Sequence, residues 1–171
     1  MAESPQSKGT IVTDTLRIYG FSFDFPITNR LEFDPKFSRE EGSLAIKSPS
    51  KMVVFLSWGD LRKIIKKLPT PKEHSRFSME RAVRASRGPL TIIEEKETIV
   101  NGHPGAYNHF KVEAPGILPG GRRRNQEMES LHLHCENSSR YYVIYTSLAP
   151  GTKDPDRDGT LWTVIGTFRC H

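Results

Sequence analysis

The segment between residues 90 and 149 constrains the fold most, because it holds four strand-type patterns separated by turn signals. Asn101-Gly102 follows the first pattern and is a strong signal for a two-residue hairpin turn. Asn137-Ser138-Ser139 separates the last two patterns and predicts a second hairpin. The four predicted strands are LTIIEEKETIV (90–100), PGAYNHFKVEA (104–114), EMESLHLHCE (127–136) and RYYVIYTSLA (140–149). A chain with this segment builds much of its fold as a β-sheet.

The first 60 residues add further strand patterns. TIVTDTLRIYGFSFDFP (10–26) is rich in Thr, Ile, Val and aromatic residues, and Gly20 divides it into a hairpin or a kinked strand pair. Shorter strands are predicted at 30–33 and 42–48. KMVVFLSW (51–58) is apolar almost throughout, which is typical of a central strand covered on both faces.

Three segments have the spacing of amphipathic helices instead. LRKIIKKL (61–68) places its apolar residues at i, i+3, i+4 and i+7, and Pro69 ends the pattern. SMERAVRASRG (78–88) is the second predicted helix, with Ser78 as its N-terminal cap. TLWTVIGTF (160–168) is predicted to be the third, despite its β-branched residues.

Positive charge is concentrated in one part of the chain. The net charge is +5, but residues 51–90 carry ten Lys and Arg against three acids, a local excess of seven. Such an excess attracts acidic partners at long range, although a solvated basic surface with no partner would show the same pattern. The candidate binding residues are Arg62, Lys63, Lys66 and Lys67, together with Arg122, Arg123 and Arg124 in a Gly/Pro-rich loop.

The same cations predict an alternative function in nucleic-acid binding, through the basic 61–87 segment and the Arg122–Arg124 loop. Nucleic-acid binders usually interleave aromatic side chains with such charges. Here Tyr141, Tyr142 and Tyr145 lie in a predicted strand instead. The sequence also lacks the nucleophile-elbow, phosphate-loop and HExxH motifs of common enzyme classes, and no cofactor is predicted.

Two groups of residues are candidates for a metal site. Asp154, Asp156 and Asp158, followed by Gly159, match the first positions of a calcium loop, but Ile165 stands where such a loop has a bidentate Glu. A turn whose carboxylates cap the following helix is the alternative interpretation. His132 and His134 lie two residues apart on a strand and therefore share one face. Zinc sites need three or four ligands, and only these two are certain neighbours.

Cys135 and Cys170 are too few for a disulfide framework, and the N-terminus has no secretory signal pattern. We therefore expect a protein of a reducing compartment, located in the cytoplasm. No apolar run is long enough to span a membrane, so membrane insertion is not expected.

The order of these elements resembles the PsbP/Mog-like family over about residues 15–168. The family's aromatic-x-aromatic-x-aromatic-Pro string is matched by FSFDFP (21–26), its central strand-turn by IVNGHPGAY (99–107), its late strand by RYYVI (140–144) and its end by Thr167-Phe168. The tryptophan often found after the first Pro is replaced by ITNR (27–30), and an exported leader is missing, so the resemblance does not imply a photosystem role.

The resemblance implies an α+β fold, an αβα sandwich in which a central antiparallel sheet carries helices on both faces. It also implies a non-catalytic platform that docks onto a larger partner, such as a photosystem core or a Ran-type GTPase. We expect a flexible tail at residues 1–9 and one domain over 10–171. The expected function is that of a protein-interaction domain whose basic residues meet an acidic protein surface.

Overall fold

The computed structural model describes residues 13–18, 20–50, 52–114, 124–148 and 155–171. Over these residues the chain forms β1 (Thr13–Ile18), β2 (Phe21–Pro26), β3 (Arg30–Phe33), β4 (Gly42–Lys47), β5 (Val53–Asp60), α1 (Leu61–Ile64), α2 (Pro71–Ser86), β6 (Leu90–Val100), β7 (His103–Ala114), β8 (Arg124–Cys135), β9 (Arg140–Leu148), α3 (Pro155–Thr167) and β10 (Arg169–Cys170). The expected tail at residues 1–9 and its boundary lie outside the described residues.

A seven-stranded antiparallel sheet in the order β3-β4-β5-β9-β8-β7-β6 forms the centre of the structure. The two hairpins predicted from the sequence, β6–β7 and β8–β9, are confirmed. Asn101 and Gly102 have φ angles of 49° and 86°. Those positive values match the right-handed twist of the flanking strands, which explains why this pair of residue types occurs in the turn.

A second, three-stranded sheet in the order β1-β2-β10 lies on one face of the large sheet together with α3. Phe21 of β2 is central to the core between the layers, where its ring lies 5.3 Å from those of Trp58 and Tyr142 and 5.9 Å from that of Phe168. The strand is buried at five of its six positions. This burial on both faces explains the dense aromatic string in the sequence.

Helix α2 covers part of the other face, over β7 and β8. It begins seven residues before the predicted start at Ser78, because Thr70 and Glu73 form a capping box and Pro71 occupies the first turn. Arg87 ends it in the left-handed conformation, with φ 55°. In the described part of the chain, no helix is long and apolar enough to cross a membrane.

The expected αβα sandwich is wrong. The chain is mostly strand, with two antiparallel sheets and three short helices over the described residues. The face opposite α2 is covered by a second sheet as well as α3, because β2 pairs with β1 and β10 and lies over the central sheet. Helix 61–68 also shortens to the four residues of α1, followed by a turn at 65–67. The helix predicted at 160–168 is confirmed within α3.

The connection between α2 and β6 depends on the absence of a side chain at Gly88. A Cβ atom there would lie 1.4 Å from the carbonyl oxygen of Glu113 in β7. We expect Gly88→Ala to lower the free energy of unfolding by about 1–3 kcal/mol, because the backbone must move to relieve the overlap. Urea denaturation measures the loss. Gly166→Ala is the control, since its Cβ would meet no atom within 4 Å; an equal loss in both variants would contradict the packing described.

Candidate functional site

The predicted basic residues after β5 form an exposed group, which we call the α1 surface: Arg62, Lys63, Lys66 and Lys67. The Asp60 side chain caps α1 and also binds the Arg62 guanidinium, with a distance of 2.7 Å from Nη2 to Oδ2. The contact with Arg62 holds the pKa of Asp60 at about 2. Lys63 Nζ lies 3.4 Å from Glu41 Oε2. Lys66 and Lys67 are exposed and form no ion pair with the residues that the structure describes.

Two cations of α2 form ion pairs with glutamates of strand β6. Lys72 pairs with Glu97 at 3.5 Å and Arg76 with Glu95 at 2.9 Å, both across to strand β6. The Arg76 contact lowers the pKa of Glu95 and raises that of Arg76. The positive excess of residues 51–90 is therefore partly neutralised in the fold, and Lys66 and Lys67 are among its exposed cations that form no ion pair with the described residues.

Of the second predicted basic group the structure describes only Arg124, whose backbone lies far from α1. Arg124 begins β8, and Cys135 ends it. Helix α1 follows the end of β5 at Asp60, which lies opposite Arg140 of β9, and Arg140 in turn lies opposite Cys135. Helix α1 is therefore at the Cys135 end of β8 and Arg124 at the other end. Strand β8 has 12 residues, which at about 3.3 Å per residue places its ends roughly 36 Å apart. Arg122 and Arg123 lie outside the described residues.

The candidate calcium ligands that the structure describes lie in a helix and not in a loop. Asp156 and Asp158 fall within α3, whose backbone is helical from Pro155 onwards, and Asp154 lies outside the described residues. A calcium loop wraps its first five positions around the ion, which a helical backbone cannot do. This arrangement differs from the predicted loop and shows the two aspartates in the first turn of a helix.

His132 and His134 share one face, and that face meets α2. The His74 ring of α2 lies 4.7 Å from the ring of His132, 5.6 Å from that of His134 and 5.0 Å from that of Tyr141. His74, which sequence reasoning missed, belongs to the cluster because α2 begins earlier than predicted. The three rings do not bring one nitrogen each within 4.8 Å of one another, so this part of the described structure offers no preformed metal site.

The histidine cluster is buried and electrically neutral. All three side chains are at most 8% exposed, and three ring nitrogens, Nδ1 of His74, Nδ1 of His132 and Nε2 of His134, have no hydrogen-bond partner among the described residues. Burial lowers the pKa of His74 and of His134 to about 4, with repulsion from His134 adding to the effect on His74. Burial also lowers the pKa of His132 well below its usual value.

A polar network extends from this cluster toward a pocket between α2 and the sheet. Ser130 donates to Asn108 at 2.9 Å, Asn108 donates to Ser75 of α2, and Ser130 Oγ lies 3.1 Å from His132 Nε2. The pocket has a volume of about 420 Å³ and is lined by Ser78, Arg81, Ala82, Phe110, Met128, Ser130, His132, Val143 and Tyr145.

The described part of this network does not have the hydrogen-bond pattern of a serine-histidine-carboxylate triad. The Ser130 hydroxyl donates to Asn108 Oδ1 as well as lying near His132 Nε2, so its hydrogen is not held by the histidine alone. Nδ1 of His132, which a catalytic triad would bind to a carboxylate, has no partner among the described residues. The network therefore fixes α2 on the sheet and presents polar groups to a pocket, without the third member that activates a serine.

Cys135 and Cys170 are joined by a disulfide across 35 residues of sequence. The bond connects the end of β8 to β10, and His103 Nε2 lies 3.1 Å from Cys170 Sγ. This bond differs from the expectation that two cysteines in a reducing compartment stay as free thiols. Pairing β10 with β2 brings the two sulfur atoms together, a contact that sequence separation conceals.

Comparison with solved structures identifies the architecture. The solution structure of cyanobacterial PsbP from Synechocystis sp. PCC 6803 superposes with a TM-score of 0.63, covering 99% of this chain and 98% of that protein at 14% sequence identity. The chain has a PsbP-like fold. No protein-family model matches the sequence, and no curated protein matches it.

A protein of unknown function from Pseudomonas aeruginosa is also similar in structure, with a TM-score of 0.38, 7% identity and coverage of 81% of this chain and 83% of that one. That score is too low to indicate a shared fold. At 14% identity the similarity to cyanobacterial PsbP shows a shared fold and no shared function. The function therefore has to be argued from this chain's own residues.

Proposed function

We propose that the protein is a non-catalytic interaction domain that docks onto an acidic protein surface through the α1 surface. The observation that carries the proposal is the exposure of Lys66 and Lys67 beside Arg62 and Lys63, in a turn where the described residues leave the two lysines without an ion pair. Acidic groups on a partner would be attracted to this turn and would fix its orientation. The PsbP-like fold supports the proposal because the family's members are mostly docking platforms.

Nucleic-acid binding through the same cations receives less support. A phosphate-binding track would use the 61–87 segment and the Arg122–Arg124 loop together, but Arg124 begins its strand at the opposite end of β8 from α1. The cations of α2 that point toward β6 are already paired with Glu95 and Glu97. Within the α1 surface, Arg62 and Lys63 are paired with Asp60 and Glu41, and Lys66 and Lys67 form no ion pair with the described residues. So small a group of free cations fits a local acidic patch better than a long backbone.

The Mog-like assignment and the cytoplasmic location belong to the same proposal. A Ran-type GTPase is one acidic-partner class that the family resemblance suggests. A cytoplasmic location has a chemical consequence, because Cys135 and Cys170 would be reduced there. In that location the Cys135–Cys170 disulfide would form only under oxidising conditions.

The test compares three forms of the protein as baits in a native lysate at low and high salt, each with and without nuclease treatment. Lys66→Glu/Lys67→Glu removes the proposed contact. Arg17→Glu/Arg30→Glu is the matched control, because it changes the net charge equally on exposed positions of β1 and β3. We expect wild type and control to retain one acidic protein that salt releases, and the lysine variant to bind the identified protein at least tenfold more weakly. Equal affinity of all three forms, or retention of nucleic acid alone, would contradict the proposal.

A further inference from the structure

Three side chains with soft or borderline metal-ligating atoms meet at one end of the central sheet. His103 Nε2, Cys135 Sγ and Cys170 Sγ all lie within 4.8 Å of one another. Both cysteines are buried and the histidine is half-buried. Across the described residues, no other group of three His, Cys, Asp or Glu side chains brings its ligand atoms this close.

The fold, and not the sequence spacing, creates this cluster. His103 opens β7 directly after the Asn101-Gly102 turn, Cys135 ends β8, and Cys170 belongs to β10. The last strand reaches the site because β10 pairs with β2 and the backbone N–H of His171 donates to the Gly20 carbonyl at 2.7 Å. The chain terminus is thereby held over the end of the central sheet by one covalent bond and a few hydrogen bonds.

We propose that, when the disulfide is reduced, His103, Cys135 and Cys170 bind one Zn²⁺ ion, so that the terminal strand is held by either a covalent bond or a metal. Two thiolates and one imidazole are ligands that zinc prefers. Zinc–sulfur bonds of about 2.3 Å and zinc–nitrogen bonds of about 2.0 Å place ligand atoms roughly 3.5–3.8 Å apart. The three ligand atoms already lie within 4.8 Å of one another. Once the S–S bond is broken, small side-chain shifts therefore bring them to the distances that zinc needs.

The redox step balances with a dithiol as reductant. One of its sulfur atoms attacks Cys170 Sγ, the more exposed of the two at 9% against 1% for Cys135. The S–S bond breaks and Cys135 leaves as a thiolate, so that the reductant is joined to Cys170. The second sulfur of the reductant then attacks its first sulfur, which releases Cys170, and the reductant leaves as a cyclic disulfide. The protein gains two thiols. Zinc then binds both sulfur atoms and releases their two protons to solvent.

His103 supplies the nitrogen ligand and orders the site before the metal arrives. Its Nε2 already lies 3.1 Å from Cys170 Sγ, so the ring needs no rearrangement to face the ion. Three protein ligands leave a fourth tetrahedral position, which water occupies in sites of this type. Its three ligands belong neither to the α1 surface nor to the histidine cluster, although Cys135 lies at the same end of the sheet as α1 and directly follows His134.

The test uses the full chain reduced with a phosphine, which unlike a dithiol does not chelate zinc strongly. After addition of ZnCl₂ and gel filtration, elemental analysis counts bound zinc, and Co²⁺ substitution reports sulfur ligation by its charge-transfer absorption. We expect one zinc per reduced chain and none on the oxidised chain. His103→Gln and Cys170→Ser should each weaken binding at least tenfold. His134→Gln, in the other histidine cluster, should bind as wild type does.

Three results would overturn the assignment: a reduced wild-type chain without zinc, a Cys170→Ser variant that retains zinc fully, or loss of zinc in His134→Gln alone. Because Cys170→Ser also removes the disulfide, its fold is checked by circular dichroism. His103→Gln provides the independent variant, since it keeps both cysteines and can be shown to fold in the oxidised state. Full zinc retention by a folded His103→Gln variant also counts against the proposal.

Discussion

Lowering the pH from 7 to 5 is expected to reduce the free energy of unfolding by about 4–6 kcal/mol, mainly through His74, His132 and His134. The pKa values of His74 and His134 are about 4 in the folded protein, against 6.5 for an ordinary histidine, and that of His132 is also lowered. Between pH 6.5 and 4 the unfolded chain therefore binds protons that the folded chain excludes. Each such histidine lowers the stability by up to about 1.4 kcal/mol per pH unit in that window.

Urea denaturation at several pH values measures this slope. His74→Phe removes one titrating ring while keeping an aromatic side chain in contact with His132, His134 and Tyr141, so the slope should fall by up to about 1.4 kcal/mol per pH unit. His171→Gln is the control because His171 is exposed at the end of the chain. A slope identical in wild type and His74→Phe would show that the cluster is not excluded from water.

Phe21→Ala is expected to destabilise the protein by about 3–5 kcal/mol, because a fully buried ring leaves a cavity that its neighbours cannot fill. Phe21 contacts the rings of four residues from different parts of the fold: Phe23 of β2, Trp58 of β5, Tyr142 of β9, and Phe168 between α3 and β10. Truncating it weakens the contact between the two sheets. Chemical denaturation at neutral pH gives the loss directly.

Phe77→Ala is the matched control for this substitution. Phe77 lies on α2 with 40% of its surface exposed and packs against the Arg81 guanidinium at 6.0 Å. Its truncation should cost less than about 1 kcal/mol, since little apolar surface is removed from a packed site. Similar losses for both variants would contradict the placement of β2 between the central sheet and α3.

Local sequence signals predicted the hairpins well. Asn101-Gly102 and Asn137-Ser138-Ser139 turn the chain within a few residues, so the pairing of β6 with β7 and of β8 with β9 follows from neighbouring residues alone. The apolar run in β5 likewise marks a strand inside the sheet, between β4 and β9. These features need no knowledge of contacts that are distant in sequence.

The sequence also contains a signal for the observed start of α2, which differs from the predicted start at Ser78. Thr70, Pro71 and Glu73 form the signature of a helix N-terminus, and the cap Thr70 lies eight residues before the predicted cap Ser78. The apolar spacing of 61–68 extends past the true end of α1, because the helix ends at Ile64 and half-buried Ile65 and Leu68 follow in a turn and a loop. Periodicity alone does not distinguish these two cases.

The disulfide and the histidine cluster depend on tertiary structure. Cys170 reaches Cys135 only because β10 adds to β2, and His74 reaches His132 only because α2 lies across β7 and β8. The error in fold class has the same origin. Nothing local indicates that the first strands leave the central sheet and form a layer of their own.

Hydrogen–deuterium exchange of the protein with its captured partner tests the docking proposal most directly. The account predicts slower exchange in peptides that span residues 60–68, with no change at exposed β1, and loss of that protection in Lys66→Glu/Lys67→Glu. Protection confined to another surface, such as the edge strand β6, with residues 60–68 exchanging as in the free protein, would contradict it.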